Sequence, residues 1–480
     1  MSAPVQSWGR FPRATPAKVT RLTRRDAPLT ADGRSMLVFG NGRSYGDVCL
    51  NDGGHVMLAR GLDRFIAFEA DSGVLRAEAG VLLSEVLSLV VPRGWFLPVT
   101  PGTRFVTLGG ALANDVHGKN HHLAGTFGHH VRAFELLRSD GSRLTCTPGE
   151  NAELFAATIG GLGMTGLITW VEIQLRRIEG PWIWAEQRRF ENLADFFALT
   201  DSADAAHEFT VAWFDCAARG ARLGRGLLLG GDFAPASAGS GKASRSHGLL
   251  QVPVTPPVSL VNRLSVDAFN GIYYNKPGYT KPGGRALTHY EPFFYPLDGI
   301  GHWNRLYGPK GFLQYQCVLP PATAEPGLHA LLSRIASSGQ GSFLAVLKRF
   351  GDRPSAGMLS FARPGVTVAL DFPLRNASTL RLLADLDAVV ADAGGALYPA
   401  KDARMSAEMF RRSCPGLERF LPWVDPAFHS AFWERVQGPR AQRAAAGGSP
   451  RRDRVHSGGN ADLPARPVRT GSGETPCSMY

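Results

Sequence analysis

Paired cysteines are missing from this sequence. Its six cysteines are spread over 480 residues, and no CxxC pair occurs. Zinc sites need closely spaced cysteine or histidine ligands, and disulfide frameworks are typical of short chains dense in cysteine. We therefore expect no metal centre, no disulfide scaffold and a reducing compartment.

Long hydrophobic runs are missing as well. No stretch of 18 apolar residues occurs, and residues 1–26 contain no apolar segment of the kind found in signal peptides. We expect a protein that is soluble and cytoplasmic, or peripheral to the inner membrane at most.

Charge of one sign is only in mild excess. The 52 Lys and Arg residues against 41 Asp and Glu give a formal net charge of +11, and part of that excess lies in the Arg-rich stretch after Gln437. No repeat of aromatic and basic residues accompanies it. The sequence therefore argues against nucleic acid as a partner, while anionic ligands are compatible with it.

Glycine, in contrast, occurs in clusters. The richest one spans residues 97–130 and reads LPVTPGTRFVTLGGALANDVHGKNHHLAGTFGHH. Glycine lets a backbone take positive φ and approach a ligand closely. The Thr, Asn, His and Lys side chains between the glycines supply hydrogen-bond donors and acceptors. This pattern predicts a loop wrapped around a large cofactor.

Two further glycine clusters flank the first. Residues 36–47 read MLVFGNGRSYGD, a short apolar strand followed by a turn whose amides could cradle a pyrophosphate. No helical period follows the turn, so it is not the dinucleotide fingerprint GxGxxG. Residues 153–166 read ELFAATIGGLGMTG and end a predicted helix. Alternating short strands and helices around these clusters indicate an α+β domain with its turns directed at one ligand.

The pattern changes at Trp182. Strand-like runs cover residues 182–189, 207–215 and 221–229, which indicates the antiparallel sheet of a separate substrate domain. Residues 235–248 form a low-complexity loop, and residues 249–264 are apolar but broken by three prolines. Two interpretations stay open for this region: a surface linker followed by an irregular packing segment, or a mobile flap that could touch lipid.

The three glycine clusters, in this order, resemble the PCMH-type FAD-binding module of the vanillyl-alcohol oxidase superfamily. Within it, they are similar to the decaprenylphosphoryl-β-D-ribose 2-oxidase family, the flavoprotein subunit of a 2'-epimerase. The resemblance spans roughly residues 5 to 430 and implies an α+β fold with a two-lobed FAD-binding domain and a substrate domain with a large antiparallel sheet. The implied division is 1–180 for the first part of the FAD domain, 181–395 for the substrate domain and 396–436 for a return to the FAD domain. Residues 437–480 are expected to form a disordered basic tail, or to be out of frame.

The resemblance also implies a set of FAD-binding residues. Many superfamily members tether the flavin through a histidine in the first glycine turn, but this chain has Tyr45 there, so noncovalent FAD is expected. The implied cofactor residues are Gly40, Asn41, Gly42, Arg43, Ser44, Tyr45, Gly46, Asp47, Gly102, Thr107, Leu108, Gly109, Gly110, Asn114, Asp115, Val116, His117, Ile168 and Tyr398.

Substrate residues are implied in the second half of the chain. Gln314 and Gln316 share one face of a predicted strand and could bind sugar hydroxyls, although a polar outer sheet face explains the pattern equally well. The resemblance favours a site made of Tyr295, Gln314, Gln316, Lys348 and Lys119. Ala369 stands where the family has an active-site cysteine, and Thr367 where it usually has Asn. A covalent inhibitor aimed at that cysteine should therefore fail here.

The expected chemistry is oxidation of a secondary alcohol, in which flavin accepts hydride and a side chain takes the hydroxyl proton. The candidates are Lys401 and His117. A lysine, with an ordinary pKa of about 10.4, must be desolvated or lie near another cation to act as a base, whereas a histidine at about 6.5 needs no such shift. We expect Lys401 to hydrogen-bond the reacting hydroxyl and to stabilise negative charge on the reduced flavin. His117 would orient the hydroxyl or relay its proton.

By resemblance, the reaction is oxidation of the 2-hydroxyl of a polyprenyl-phosphoryl ribofuranose to the 2-keto sugar. A short-chain NAD(P)H-dependent reductase partner would complete epimerisation to the arabinose donor used in cell-envelope synthesis, and peripheral membrane contact is expected with a lipid-linked substrate. Another sugar or secondary-alcohol oxidase of the superfamily is the alternative, since a fold does not fix a substrate. A noncatalytic flavin sensor would not need Lys401, Lys348 and the paired glutamines together.

Overall fold

The computed structural model of the chain describes residues 5–30, 32–239, 250–275 and 284–438. The predicted basic tail lies outside these ranges beyond residue 438, as does most of the low-complexity loop. No helix within the described ranges is both long enough and apolar enough to cross a membrane.

The first glycine turn follows a small parallel sheet. Its strands are β1 (Lys18–Arg21), β2 (Met36–Phe39) and β3 (His55–Leu58), with β3 in the middle. As predicted, β2 runs directly into the turn that begins at Gly40.

A five-stranded antiparallel sheet in the order β4-β5-β9-β7-β8 forms the second lobe. Helix α1 packs beside it through Leu83, Val86, Leu87 and Val90, a spacing that gives a helix one apolar face. Strand β6 pairs with β10 in a short ribbon. The elements of this part are β4 (Phe65–Glu69), β5 (Val74–Glu78), α1 (Leu83–Val90), β6 (Trp95–Phe96), α2 (Leu108–Ala113), α3 (His121–Ala124), β7 (Val131–Leu137), β8 (Arg143–Cys146), α4 (Ala152–Thr158), β9 (Leu167–Gln174) and β10 (Arg176–Arg177).

The substrate half is built on an eight-stranded sheet in which every neighbouring pair is antiparallel, in the order β15-β11-β13-β12-β18-β19-β17-β20. The predicted α+β class with a large antiparallel sheet is confirmed. The remaining elements are β11 (Trp182–Phe190), α5 (Leu193–Ala206), β12 (Phe209–Phe214), β13 (Gly226–Phe233), β14 (Leu250–Gln251), α6 (Arg263–Asn275), β15 (Arg285–His289), α7 (Tyr290–Phe294), β16 (Ile300–Gly301), β17 (Phe312–Leu319), α8 (Ala324–Ser338), β18 (Ala345–Phe350), β19 (Gly365–Pro373), α9 (Ala377–Asp392), β20 (Ala396–Leu397), α10 (Ala407–Ser413), α11 (Leu417–Phe420) and α12 (Ala431–Gln437).

Three details differ from the sequence-based expectations. The strand predicted at 221–229 begins only at Gly226, because Gly220–Arg222 form a 3-10 turn. Helix α6 lies in a stretch for which the sequence analysis predicted no helix. The boundary expected at residue 395 falls just before β20, which is still an edge strand of the large sheet.

Alternate side chains of β17 face opposite sides of the large sheet, one side being the apolar core and the other a cavity. Leu313, Tyr315 and Cys317 belong to the apolar core that α8 and α9 share with this sheet. Gln314 and Gln316 point the other way and line a cavity. Period-2 alternation therefore places the two glutamines on the functional face rather than on a solvated one.

Candidate functional site

A cavity of about 930 Å³ extends from the glycine turns to the large sheet. Its volume is at the upper end of the range usual for small-molecule sites. At one end it is lined by backbone of the first turn, Gly40 to Tyr45, and by Gly109 and Gly110 of α2. At the other end it is lined by side chains of β12, β17, β18 and β19.

The first glycine turn, at residues 40–46, packs directly on the glycine-rich start of α2, at residues 107–110. A Cβ added to Gly40 would lie 2.7 Å from Thr107 Oγ1, and one added to Gly109 would lie 2.9 Å from the Cβ of Ala79. Thr107 caps α2 by accepting a hydrogen bond from the Gly110 amide at 3.1 Å. The Asn41 side-chain amide donates to the carbonyl of Phe105 at 2.7 Å. Glycine is thus required for the close approach that forms this end of the cavity.

Polar groups at this end suit an FAD ligand. Asn114 Oδ1 is buried without a hydrogen-bond partner among the described residues, although the same side chain donates to the Gly110 carbonyl. Arg43 lies 4.2 Å above the Trp8 ring, and burial lowers its pKa. No described carboxylate lies within ion-pair distance of Arg43. An unfilled acceptor and a buried cation without an ion-pair partner among the described residues, beside a bare backbone turn, fit a polar, anionic cofactor.

Most of the predicted cofactor residues line this cavity. They are Gly40, Asn41, Gly42, Arg43, Ser44, Tyr45, Gly102, Thr107, Gly109, Gly110, Asn114, Val116, His117, Ile168 and Tyr398. Tyr398 also donates its hydroxyl proton to the carbonyl of Asn114 at 3.0 Å, which ties the C-terminal segment to the glycine cluster.

Four predicted cofactor residues lie behind the lining instead. Asp47 pairs with Arg435 of α12, with Nη2 and Oδ1 2.8 Å apart. Asp115 accepts hydrogen bonds from the Gly128 amide and the Ser360 hydroxyl. Leu108 is fully buried, and Gly46 packs against the carbonyl of Asp402. These residues support the turns that form the lining.

Tyr295 likewise lies one layer back. Its buried hydroxyl is 2.7 Å from Thr100 Oγ1, and Thr100 is the residue that lines the cavity. The other expected substrate residues, Lys119, Gln314, Gln316 and Lys348, line the cavity themselves.

His117 is held through both ring nitrogens. The Gln316 side-chain amide donates to His117 Nε2 at 3.1 Å, and Lys348 Nζ lies 2.8 Å from His117 Nδ1. With Nε2 accepting, a neutral imidazole carries its proton on Nδ1 and donates it to Lys348. Burial, followed by the charge of Lys348, holds the pKa of His117 well below its usual range. His117 therefore has no free nitrogen for a substrate unless it gives up one of these hydrogen bonds.

Lys348 and Lys119 are also engaged. Lys348 Nζ donates to the Gly118 carbonyl at 2.6 Å, and burial, then the charge of Lys119, lowers its pKa to about 7. A neutral Lys348 amine is consistent with accepting the His117 proton. Lys119 Nζ donates to the Phe293 carbonyl, and burial lowers its pKa to about 7.

Lys401, unlike Lys119 and Lys348, is not engaged by a hydrogen bond among the described residues. Its Nζ lies 4.0 Å from the centre of the Tyr45 ring, and none of the described residues accepts a hydrogen bond from it. The surrounding protein desolvates Lys401 and lowers its pKa to about 8, while the charge of Asp371 acts in the opposite direction. Lys401 thus has the shift that a lysine needs to act as a base near neutral pH.

Two functional positions were missed in the sequence. Asp371 is fully buried, and its Oδ1 accepts a hydrogen bond from Gln314 Nε2 at 2.7 Å; burial raises its pKa to about 7. It shares the alternation of Thr367 and Ala369 along β19, so the strand pattern contained the signal. Trp213 of β12 lines the cavity, but nothing in its local sequence distinguishes it from a core tryptophan.

Comparison with known proteins agrees with this geometry. Residues 16–147 match the model of a family described as FAD binding domain. A fold with this domain and a cavity of this kind defines an FAD-dependent oxidoreductase.

Full-length similarity narrows the class. The chain is 35% identical over 454 residues to the decaprenylphosphoryl-β-D-ribose oxidase of Mycolicibacterium smegmatis, covering 90% of this chain and 97% of that protein. It therefore belongs to the decaprenylphosphoryl-β-D-ribose oxidase family.

Other relatives cover less of the chain. An uncharacterized protein of Streptomyces coelicolor is 36% identical over 72% of this chain and 96% of its own length. The human Δ(24)-sterol reductase is 35% identical over 21% of this chain and 20% of its own length. This second similarity is too short to bear on the substrate.

Proposed function

We propose that this protein oxidises the 2-hydroxyl of a polyprenyl-phosphoryl β-D-ribofuranose to the 2-keto sugar, with FAD as the electron acceptor. The observation that carries the proposal is Lys401, whose Nζ lies 4.0 Å from the centre of the Tyr45 ring and which lines the same cavity as Gln314 and Gln316 of the large sheet. The substrate class is supported by similarity, over nearly the full length of both chains, to the decaprenylphosphoryl-β-D-ribose oxidase of Mycolicibacterium smegmatis.

In this proposal the side chains divide the work. FAD, when bound, accepts the hydrogen and the electron pair from the carbinol carbon. Lys401 hydrogen-bonds the reacting hydroxyl and takes its proton as a neutral amine. His117, fixed by Gln316 and Lys348, orients the sugar instead of acting as a free base.

Gln314 and Gln316 are proposed to bind the sugar hydroxyls. Asp371 orients Gln314, and Thr367 Oγ1 accepts a second hydrogen bond from Gln316 Nε2 at 3.3 Å. An amide oriented in this way is pre-organised, which lowers the entropic cost of binding a hydroxyl. Lys119 and Lys348 are proposed to contribute hydrogen-bond donors to this end of the cavity.

The cofactor is proposed to be noncovalent, because Tyr45 occupies the turn position of the tethering histidine. We also propose the domain division 1–180, 181–395 and 396–436, in which the last segment first adds β20 to the edge of the large sheet and then returns Tyr398 and Lys401 to the flavin. The 2-keto product requires a reductase to complete epimerisation, so a short-chain NAD(P)H-dependent partner is proposed. A lipid-linked substrate further implies contact with a membrane surface.

Anaerobic absorbance spectroscopy tests the reaction directly. Polyprenyl-phosphoryl ribose should bleach the visible band of the oxidised flavin, whereas the 2-deoxyribose analogue should leave it unchanged because it lacks the reacting hydroxyl. Bleaching by both sugars would assign the reaction to another carbon. Bleaching by neither, with flavin bound, would reject this substrate and direct the search to other sugars and secondary alcohols.

A further inference from the structure

An exposed apolar surface adjoins the cavity, because Gln251 and Tyr273 of the same segment line it. Of the twelve large apolar side chains that are strongly exposed in the described residues, eight fall between 250 and 273. The surface is formed by Leu250, Val254, Val258, Leu260, Leu264, Phe269, Ile272 and Tyr273, and is called the apolar platform below. Concentration in one short segment distinguishes it from the isolated apolar residues that any surface carries.

Helix α6 buries Val266 but exposes several of its larger apolar residues. Leu264 is 81% exposed and Ile272 is 73% exposed, while Asn270 on the opposite side is fully buried. The Asn270 side-chain amide donates to Asp215 Oδ1 at 2.8 Å, which fixes this orientation. A helix that buries an amide and exposes leucine and isoleucine has the arrangement of an element that meets an apolar environment.

Aromatic rings connect the apolar platform to the cavity. Phe269 stacks on Tyr273 with ring centres 5.5 Å apart, and Tyr273 lies 4.7 Å from Trp213. Tyr273 and Trp213 both line the cavity. Leu344 and Val346 also line the cavity, and Val346 of β18 pairs with Trp213 of β12. These rings offer a hydrocarbon chain an apolar wall that runs from Phe269 through Tyr273 to Trp213.

Basic side chains surround the apolar platform. Arg10 donates to Thr255 Oγ1 at 3.2 Å, Arg305 to the Val252 carbonyl at 2.9 Å, and Arg375 to the Val261 carbonyl at 3.1 Å. Two exposed cations, Arg13 and Lys310, also donate to carbonyls of residues 309 and 375 in this region. Within residues 250–275 the sole acidic residue is Asp267, which lies 3.9 Å from Arg263.

We propose that the apolar platform and its basic surround dock onto an anionic phospholipid surface, and that the lipid chain of the substrate enters along the Tyr273 and Trp213 wall. The lipid entry rests on the proposed function, whereas the docking does not. Apolar residues that insert and cations that attract anionic headgroups are together the requirements for interfacial binding. Positive charge around an apolar centre favours this occupant over a second copy of the chain, which would bring like charges together.

Flotation with lipid vesicles tests the docking without any enzyme assay. The full chain should float with vesicles of equal phosphatidylglycerol and phosphatidylcholine, and much less with phosphatidylcholine alone. The variant Leu264→Glu/Ile272→Glu should lower vesicle affinity about tenfold or more for each side chain. The matched control is Leu123→Glu/Leu380→Glu, which replaces exposed leucines outside the platform and should float like the unmodified chain.

Charge is tested by a second pair of substitutions. Arg13→Glu/Lys310→Glu should weaken binding to anionic vesicles about fivefold or more for each residue and reduce its salt dependence. These residues lie outside the cavity, so flavin reduction by a short-chain, water-soluble prenyl-phosphoryl ribose should remain unchanged in all variants.

Three results would overturn the docking proposal. The first is flotation of the Leu264→Glu/Ile272→Glu variant at the level of the unmodified chain, and the second is no flotation of the unmodified chain with anionic vesicles. The third is a concentration-dependent dimer in sedimentation that this variant abolishes, because the platform would then be an interface between copies. Failure of the ribose substrate to reduce the flavin would reject the proposed function while leaving the flotation result intact.

Discussion

Lys401 Nζ lies 4.0 Å from the centre of the Tyr45 ring. The two residues come from opposite ends of the described chain, Tyr45 from the first glycine turn and Lys401 from the segment after β20. Their contact brings a desolvated amine to the turn that forms the cofactor end of the cavity. A base and a cofactor site at one place are what alcohol oxidation needs.

Replacing Lys401 with methionine should abolish flavin reduction and leave FAD bound. Methionine keeps the length of the side chain but cannot accept a proton, and loss of a positioned acid or base typically costs about a hundredfold or more in rate. Stopped-flow absorbance gives the rate, and the ratio of flavin to protein gives the occupancy. Lys18→Met removes a half-buried lysine of β1 that pairs with Asp32 and does not line the cavity, and it serves as the control. Normal reduction in Lys401→Met would remove this residue from the mechanism.

Flavin reduction should accelerate as pH rises through about 8. The pKa of Lys401 is lowered to about 8 by desolvation, and only the neutral amine, which is populated above that pKa, can accept the hydroxyl proton. The rate should therefore be low at neutral pH and level off in alkaline buffer. An arginine at this position stays protonated, so Lys401→Arg should be inactive at every pH. A rate that falls across the same interval would contradict the assignment.

Asp371 should set the midpoint of that pH profile. Its negative charge raises the pKa of Lys401, opposing desolvation. Asp371→Asn removes the charge but keeps the shape, so the midpoint of flavin reduction should move to lower pH. A merely structural role would reduce the amplitude without moving the midpoint. Weaker sugar binding is also expected, because Gln314 loses a charged hydrogen-bond acceptor.

Gly42 should be essential for cofactor retention. Its φ is +59°, and an added Cβ would lie 2.6 Å from the backbone carbonyl of Gln6. Gly42→Ala therefore adds a backbone clash to a left-handed conformation that by itself costs about 1 kcal/mol. Gel filtration should show protein that has lost most of its flavin.

Gly53 provides a matched control for this substitution. It has a similar φ of +66°, but nothing lies within 4 Å of an added Cβ. Gly53→Ala should show the conformational cost alone and retain flavin. Equal flavin loss in both variants would mean that backbone strain, and not the close approach at Gly42, explains the effect.

The sequence predicted the parts of the site that depend on local pattern. Glycine clusters indicated the turns, and alternation placed Gln314 and Gln316 on one face of a strand. The sequence could not distinguish residues that line the cavity from residues that support its turns. Asp47 and Asp115 lie within the glycine motifs, yet their side chains point to Arg435 and Ser360. That direction is decided by elements distant in sequence. The sequence analysis expected an ordinary pKa for His117 and was wrong for the same reason. Burial, followed by the charge of Lys348, lowers that pKa, and both come from the fold.

Arg435 should stabilise the folded chain more than a surface arginine does. It forms ion pairs with Asp47 at 2.8 Å and with Asp402 at 3.1 Å, and both carboxylates are buried. Arg435→Met leaves them uncompensated, which should lower the free energy of unfolding by about 3–5 kcal/mol. Urea unfolding followed by circular dichroism measures the loss.

The control for Arg435 is an exposed ion pair on α10. Arg412→Met breaks a contact with Glu408 in which both side chains are more than half exposed. Such pairs contribute about 1 kcal/mol or less. Equal destabilisation by the two substitutions would show that the buried pairs with Asp47 and Asp402 have no special role.

A chain ending at Gly438 keeps Arg435 and should retain both stability and flavin reduction.

Acid precipitation should release all of the flavin. A covalent tether needs a nucleophilic side chain in the cavity, and the nearby nucleophiles are unsuited. Burial raises the pKa of the Tyr45 hydroxyl well above its usual range and that of the Cys49 thiol to about 12, so both stay protonated. Both nitrogens of His117 are engaged by Gln316 and Lys348. After acid treatment the yellow chromophore should be in the supernatant, and the intact mass should equal that of the polypeptide. A yellow pellet with a mass increment of one flavin would establish a covalent bond and identify its residue by peptide mapping.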